Sequence, residues 1–192
     1  MAFEIRSWAR ASMDADSMTP DVLAHLNAEA LNRAIEAAEG CQVAKWGALD
    51  IIVIRHPEGH RMLPVEAHLS VEEGLIGDRW VSGAAKPREQ ISMMNLDVAG
   101  AIANGQHPAL FGDNLFTRLD LSESHLPPGT KLRVGEAILE ISAKPHMPCD
   151  RFRARFGAAS FELTAKRPRL RGVYLTVIEG GAIALGDPIR RV

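Results

Sequence analysis

Apolar residues near the N-terminus recur at spacings of three and four, which is the pattern of one face of an α-helix. Thr19 and Pro20 predict the start of this helix, because a hydroxyl caps free amides and proline suits the first helical position. We predict the helix over residues 21–39, and Gly40 provides the stop. Its apolar face consists of Leu23, Leu26, Ala30, Leu31, Ile35 and Ala38. We expect this helix to dock on the core or to form an oligomer contact.

Short β-like runs replace the helical pattern from residue 49 onwards. The first run is rich in β-branched residues, and a turn at residues 57–60 follows it. Strands are predicted at residues 49–55, 63–69, 90–94, 131–134, 137–141, 173–178 and 189–192. Turn residues such as Pro127-Pro128-Gly129 separate these runs at short spacing. This spacing favours antiparallel pairing in a barrel or sandwich over βαβ units.

One short helix interrupts the strands. Asn95 can cap it, Asp97 lies in its first turn and Gly105 follows its end, so we predict this helix over residues 95–104. The chain is therefore predicted to be mainly β, with a few short helices and an N-terminal helical extension.

The composition is that of an ordinary globular protein. The 192 residues are 46% hydrophobic and 24% charged, enough for one good core. A formal net charge of -2 argues against a general nucleic-acid binder, which carries a basic excess. No run approaches the roughly 20 apolar residues that span a bilayer, and the N-terminus lacks the apolar stretch of a signal peptide. We therefore expect a cytoplasmic protein that binds neither nucleic acid nor membrane.

The chain has two cysteines, Cys41 and Cys149, which lie far apart and form no C-x-x-C pattern. This arrangement argues against a disulfide framework and against a structural zinc site. The expected compartment is a reducing one.

Positive charge is concentrated in one part of the chain. Residues 144–171 contain eight basic and two acidic residues, an excess of six positive charges, so an anionic ligand is the first partner to consider. Arg151, Arg153 and Arg155 alternate, which would place them on one side of an extended strand where guanidinium groups could hold a phosphate. The alternative interpretation is a solvated charged face.

Cys149 ends the segment Lys144-Pro145-His146-Met147-Pro148-Cys149 and precedes the three arginines. Prolines stiffen the backbone and cationic neighbours stabilise thiolate over thiol, which predicts a cysteine kept for chemistry. The alternative is a small apolar filler of the core, because free cysteine is among the most buried residue types. His146 either bonds the backbone of its loop or tunes the thiolate and relays a proton to substrate.

Short motifs occur in one order around this cysteine: Gly74-Leu75-Ile76-Gly77-Asp78-Arg79, Gln90-Ile91-Ser92, Gly112-Asp113-Asn114-Leu115, the run 128–135, Pro148-Cys149, Gly172-Val173-Tyr174 and the run 180–187. This order resembles the MOSC domain, which is found at the C-terminus of molybdenum cofactor sulfurases and as stand-alone bacterial proteins. The resemblance covers about residues 49–192 and implies a β-barrel. We therefore divide the chain into an N-terminal helical extension, residues 1–48, and a MOSC domain, residues 49–192.

The resemblance also implies a link to the molybdenum cofactor, a pyranopterin with a dithiolene and a phosphate. In that family the cysteine matching Cys149 is either a thiolate ligand of molybdenum, as in relatives that reduce amidoximes and N-hydroxylaminopurines, or a carrier of persulfide sulfur. Pro145-His146 before the cysteine and Arg155-Phe156-Gly157 after it resemble a subgroup of stand-alone MOSC proteins.

The Gly-Asp motifs have two interpretations. They can be turns and nothing more, or their exposed amides and the Asn114 side chain can hydrogen-bond the edge of the pterin. Cys149 is the candidate metal ligand, and Cys149 and His146 are the candidate catalytic residues. The candidate cofactor-binding residues are Asn114, Asp113, Asp78, Arg79, Arg151, Arg153 and Arg155.

Three functions remain open from the sequence. The first is a molybdenum-cofactor protein in which Cys149 binds the metal and supports reduction of small N-hydroxylated substrates. The second is a sulfur carrier or transferase that holds a persulfide on Cys149. The third is a non-catalytic module that binds an anionic ligand. A protein that donates electrons or sulfur is a plausible partner for the first two.

Overall fold

The computed structural model describes residues 12–14, 21–40, 47–83 and 86–192. The predicted helix start at Thr19 and Pro20 lies outside these residues, as does Cys41.

Strands dominate the described chain. They are β1 (Ser12–Asp14), β2 (Gly47–Ile52), β3 (Ile54–Arg55), β4 (His60–Met62), β5 (Glu66–Ser70), β6 (Gly74–Leu75), β7 (Ile91–Asn95), β8 (Leu115–Thr117), β9 (Lys131–Val134), β10 (Ala137–Pro145), β11 (Val173–Glu179), β12 (Gly181–Ala184) and β13 (Pro188–Arg191). The described helices are α1 (Ala28–Gly40), α2 (Leu96–Ala103) and α3 (Asp150–Lys166).

Seven of these strands close into a barrel in the order β10-β11-β7-β8-β2-β13-β9, and β9 pairs with β10 to complete it. The described pairs in the barrel are antiparallel except β7 with β8, which run parallel. The remaining strands form two small sheets, β12-β5-β6 and β1-β4-β3. The predicted mainly β barrel with a few short helices is confirmed.

Alternation of side chains explains why these strands close around a core. In β9, Leu132 and Val134 are buried while Lys131 and Arg133 are exposed, as expected when successive side chains point to opposite faces. Many of the buried residues of the barrel strands belong to one hydrophobic cluster, which includes Leu49, Met93, Leu115, Leu132, Leu139 and Leu175.

A second hydrophobic cluster joins the three helices to strand residues of the barrel. Leu31 and Ile35 of α1 belong to it, together with Phe116 of β8 and Phe156 of α3. The Phe156 ring stacks on Phe111 with centroids 4.1 Å apart. The described part of the N-terminal extension thus packs on the core through α1. The division at residues 48 and 49 stays a prediction.

The N-terminal helix is shorter than predicted. Residues 22–24 form a separate 3-10 turn, and α1 begins at Ala28, where the Asn27 side chain accepts a hydrogen bond from the Ala30 amide. Asn27 therefore caps α1, because its side-chain carbonyl satisfies a free amide of the first turn. The prediction had placed the start of this helix at Thr19 and Pro20 instead. The short helix was predicted correctly: Asn95 caps α2, and its side chain accepts from the amides of Asp97 and Val98.

The largest error concerns residues 150–166. These residues form α3, so the extended strand that would align Arg151, Arg153 and Arg155 on one side is wrong. Phe152 and Phe156 lie four residues apart and are both buried, which is the helical signal in this segment. Gly157 interrupts α3 with a φ of 86°.

Gly172 offers a direct test of how closely the segment before β11 approaches β7. Its φ is +96°, and an added Cβ would lie 2.2 Å from the Met93 carbonyl oxygen. We expect Gly172→Ala to lower the free energy of unfolding by about 2–5 kcal/mol, because a left-handed backbone and a clash act together. The matched control is Gly129→Ala, at φ +83° with no atom within 4 Å of the added Cβ, which should cost only about 1–2 kcal/mol. Equal losses in urea unfolding would contradict this account.

Candidate functional site

A buried ion pair lies where the small sheets meet the barrel. Asp78 follows β6 and is 1% exposed. The Arg55 guanidinium binds it in a bidentate manner, with Nε 2.8 Å from Oδ2 and Nη2 2.7 Å from Oδ1. The Arg55 and Trp80 amides also donate to this carboxylate, each at 2.9 Å. These donors fix the Asp78 carboxylate, so the Gly77-Asp78 turn is stabilised by hydrogen bonds to buried protein groups.

Asn114 extends this network across the barrel. Its Nδ2 donates to Asp78 Oδ2 at 3.0 Å and to the Val53 carbonyl at 3.3 Å. Its Oδ1 accepts from the Ser92 amide and hydroxyl, each at 3.2 Å. Asn114 is fully buried, so its side chain cross-links β7, β8 and the turn at Asp78.

The charge on Asp78 is stabilised by its partners. Burial alone raises the pKa of this carboxyl, but the hydrogen bonds and charge of Arg55, with the Trp80 amide, outweigh burial and hold the pKa below its usual 3.8. Asp78 is therefore ionised at neutral pH.

A second buried network begins at the neighbouring residue. Asp113 is fully buried, and the Arg171 Nη1 donates to its Oδ2 at 2.5 Å. The other carboxylate oxygen, Oδ1, lies 3.6 Å from His146 Nδ1, and neither atom has a hydrogen-bond partner. Arg55 Nη1 donates to the Gly112 carbonyl at 2.9 Å, which ties the two networks together.

His146 is held neutral in this setting. Burial, followed by the charges of Arg171 and Arg55, lowers its pKa well below the usual 6.5. Its ring packs on Tyr174 with centroids 4.1 Å apart. Burial, and after it the carboxylates of Glu89 and Asp113, raise the pKa of Tyr174 to about 12, so both rings are uncharged at neutral pH.

Cys149 lies three residues beyond His146, at the boundary between the β10–α3 connection and α3. It is a free, exposed cysteine and the N-cap residue of α3, and its side chain caps no amide. The alternative interpretation of Cys149 as a core filler is therefore wrong, because the residue is exposed. A thiol at this position meets solvent and the positive end of the helix dipole.

Several arginines lie near the N-terminal end of α3. Burial lowers the pKa of Arg79, and the charges of Arg55, Arg151 and Arg155 lower it further while Asp78 acts in the opposite direction, so three other guanidinium groups lie within electrostatic reach of Arg79. In the described chain no ion pair joins Arg79 or Arg151 to a carboxylate. Such a cluster attracts an anion.

The helix divides the three predicted arginines. Arg151 and Arg155 lie one turn apart on the same face, and Arg153 lies opposite, over the Phe161 ring at 5.7 Å. The Arg155 guanidinium is bonded to the chain between α2 and β8. Its Nη1 donates to the Leu110 carbonyl at 2.7 Å.

The backbone of Arg155 is bonded just before the kink at Gly157. The Arg155 carbonyl oxygen receives the Gln106 amide at 3.1 Å and lies 3.0 Å from His25 Nε2. An added Cβ at Gly157 would come within 3.0 Å of the His25 ring. His25, which precedes α1, therefore contacts the backbone of Arg155, one of the cations of the candidate site.

The candidate site residues fall into two layers. Asp78, Asp113, Asn114 and His146 form a buried layer whose charges and amide groups face protein atoms. Cys149, Arg151 and Arg153 are exposed, and Arg79 and Arg155 are partly exposed. Ligand contacts by these residues stay predictions. Within the described ranges, no group of three His, Cys, Asp or Glu side chains is arranged to hold a metal ion.

Sequence reasoning missed Arg55, which links both buried networks. The available signal was a charged residue directly after the apolar run 51–54, because arginines that become buried occur with carboxylate partners. Arg171 was counted only among the basic residues of the stretch 144–171, whereas it is 4% exposed and paired with Asp113.

Solved structures share this fold. The YuaD protein from Bacillus subtilis is 18% identical, with a TM-score of 0.57 over 75% of this chain and 94% of that one. YiiM from Escherichia coli is 23% identical, with a TM-score of 0.55 over 76% of this chain and 69% of that one. A comparison with the curated proteins finds no significant match.

The family model of the MOSC domain matches residues 87–190, more than half of the chain. The chain belongs to the MOSC domain family. The match contains Asp113, Asn114 and His146 of the buried layer, and it also contains the exposed Cys149. Asp78 and Arg79 precede the matched residues. No described helix of this MOSC protein combines the length and apolar character needed to cross a membrane.

The Arg55–Asp78 pair predicts a distinct pH dependence of stability. We expect Asp78→Asn to lower the free energy of unfolding by about 3–5 kcal/mol at neutral pH, because the Arg55 charge loses its buried partner. Since the folded-state pKa of Asp78 is depressed, its contribution is complete above the unfolded value and is lost as the pH falls through the folded value. The difference between wild type and variant should therefore be constant above about pH 5 and shrink below about pH 4.

Urea unfolding between pH 3 and pH 7 measures this difference. The matched control is Glu29→Gln, which removes an exposed i,i+4 partner of Arg33 and should change stability little at any pH. A difference between wild type and Asp78→Asn that stays constant down to pH 3 would contradict the role assigned to this pair.

Proposed function

We propose that this MOSC protein binds the molybdenum cofactor, that Cys149 provides a thiolate ligand to the metal, and that the protein supports reduction of small N-hydroxylated substrates. The observation that carries the proposal is the location of Cys149. The one described cysteine is exposed at the start of α3, and the next residue but one belongs to a cluster of guanidinium groups.

The residues present are chemically suited to this cofactor. Molybdenum with a dithiolene is a sulfur-rich centre, and a cysteine thiolate is a soft ligand that suits such a metal. One protein sulfur is sufficient there, because the dithiolene supplies further sulfur ligands. The cofactor also carries a phosphate, and guanidinium groups bind phosphate oxygens in a bidentate manner. Arg79, Arg151 and Arg155 would hold this phosphate, and Cys149 would hold the metal.

The bound group would supply two-electron redox chemistry at the metal. Reduction of an N-hydroxylated substrate breaks its N–O bond, takes up two electrons and two protons, and releases water. A partner redox protein has to deliver the electrons, and solvent delivers the protons. The chain itself contributes three things to this reaction: an exposed sulfur, a cationic surface beside it and a neutral imidazole beneath the same segment.

A second candidate function is supported by the exposure of Cys149. A sulfur carrier must offer its thiol to a donor protein and to an acceptor, which requires an accessible cysteine. In that case Cys149 would hold a persulfide, and the arginines would bind an anionic acceptor. A module that only binds an anion, without chemistry at the sulfur, is the remaining alternative.

Replacement of the cysteine separates these functions. We expect Cys149→Ser, expressed in a host that makes the cofactor, to retain at most about a tenth of the molybdenum of wild type, because a hydroxyl is a poor substitute for a soft ligand. Elemental analysis and pterin fluorescence provide the measurement, and Cys41→Ser is the control that keeps wild-type content. Equal molybdenum in both variants would contradict a metal–sulfur bond. An added sulfur on Cys149 in intact-protein mass spectra, without molybdenum, would support the carrier.

The two faces of α3 provide a second test. Arg151→Gln should weaken binding of the pterin cofactor about tenfold or more, because a charge-assisted hydrogen bond is worth about 1.5–3 kcal/mol. Arg153→Gln is the matched control with the same change of charge on the opposite face, and it should alter binding less than about threefold. Equal weakening in both variants, measured by fluorescence titration, would show that only the overall charge matters and would contradict the assigned phosphate site.

A further inference from the structure

Residues 21–25, which we call the strap, lie just before α1 and outside the residues of the MOSC match. Their backbone is bonded by side chains at the end of α2 and just beyond it. The Asp21 amide donates to Gln106 Oε1 at 3.2 Å, and Asn104 Nδ2 donates to the Ala24 carbonyl at 3.1 Å. The strap is therefore tied to the connection that follows α2.

The strap contributes little apolar surface to the core. Ala24 is buried, whereas Val22 is 66% exposed and Leu23 is 91% exposed. A cavity of about 490 Å³ lies beside the strap, and Asp21, Ala24 and Gln106 are among its lining residues. Because apolar burial is small, docking of the strap depends chiefly on its hydrogen bonds. Such a segment opens more easily than the core elements around it.

The strap also reaches the kink of α3. In a regular helix the amide of residue 159 would bond the Arg155 carbonyl, but Gly157, with φ 86° and ψ 169°, interrupts the helical path between them. Two side chains reach this carbonyl oxygen: Gln106 Nε2 donates to it at 3.1 Å, and His25 Nε2 lies 3.0 Å away. Since a carbonyl oxygen only accepts, His25 Nε2 carries the proton and donates it to this bond.

Gln106 joins the strap and α3 in a single bridge. The residue is 9% exposed, and it accepts from the strap through Oε1 while it donates to Arg155 through Nε2. The Leu110 carbonyl, in the same connection between α2 and β8, accepts from the Arg155 guanidinium. Arg155 is thus held at its backbone and at its charged end. Arg151 lies one turn earlier on the same face of α3, so the position of this turn also places Arg151.

We propose that Gln106 and His25 are positioning residues through which the docked strap sets the place of the arginines on the first turns of α3. The inference rests on the proposed function, in which Arg79, Arg151 and Arg155 hold the phosphate of the cofactor. When the strap opens, the Arg155 carbonyl loses its donors and the cations on α3 lose their fixed position. Coupling of this kind is reciprocal, so an anion bound by the arginines stabilises the docked strap by the same factor.

Replacement of the bridging glutamine tests the proposal, with inorganic phosphate as the probe and the full chain free of cofactor. We expect Gln106→Leu to weaken phosphate binding about fivefold or more in an NMR titration, because coupling between sites is typically of this size. The matched control is Gln90→Leu. Gln90 is 4% exposed, donates to the Val71 carbonyl at 2.7 Å and accepts from the Val177 amide at 2.8 Å. This control loses equivalent buried bonds elsewhere and should bind phosphate within about twofold of wild type.

A pair of variants at the histidine separates positioning from general loss of structure. His25→Leu removes the donor and should weaken phosphate binding about fivefold. His25→Gln provides an amide NH₂ that donates to the Arg155 carbonyl in place of the imidazole, so binding should return to within about twofold of wild type. Equal weakening in the two variants would overturn the role assigned to His25.

Hydrogen exchange of the wild-type chain measures the reciprocal effect and needs no variant. Saturating phosphate should slow exchange of the strap amides by the same factor, about fivefold. Unchanged exchange would overturn the inference even where a substituted protein fails to fold. Equal phosphate binding by wild type and Gln106→Leu would also overturn it, while leaving the phosphate site of the proposed function in place. Absence of phosphate binding by wild type would contradict that site and the inference together, and the molybdenum content of Cys149→Ser decides the metal ligand separately.

Discussion

The ion pair between Arg55 and Asp78 is the interaction on which the rest of the site depends. Removal of two charges from water costs several kcal/mol for each ion, and only close geometry with additional hydrogen bonds offsets that cost. Here the carboxylate receives both ends of the guanidinium, two backbone amides and the Asn114 amide. These bonds connect β3, the turn after β6 and the start of β8, so the pair sets how the small sheets sit against the barrel.

The candidate ligand-binding residues lie where this buried network reaches the surface. Arg55 also bonds the Gly112 carbonyl, next to Asp113, and Asp113 pairs with Arg171 just before β11. His146 packs between this carboxylate and Tyr174. The segment that ends at Cys149 is thereby anchored through the neutral His146 ring. Cys149 and Arg151 are exposed, and Arg79 is partly exposed. A rigid buried layer under an accessible cationic layer is a suitable arrangement for an anionic metal cofactor.

The sequence predicted the barrel well, because runs rich in β-branched residues alternate with clear turn residues, and because Asn95 is a strong helix cap. It failed at α3, since the alternation of Arg151, Arg153 and Arg155 imitates a strand while Phe152 and Phe156 show the helical period. Short strands such as β6 and β8 have too few residues for any period. Composition cannot show where a side chain points, so Asp78 and Asn114 could not be distinguished from ligand contacts before their protein partners were known.

The central claim is that the sulfur of Cys149 binds molybdenum. X-ray absorption at the molybdenum edge counts the sulfur neighbours of each metal atom directly, and can be compared between wild type and the fraction of Cys149→Ser that retains molybdenum. The account predicts one more sulfur neighbour in wild type than in the variant. The same sulfur count in both proteins would contradict it.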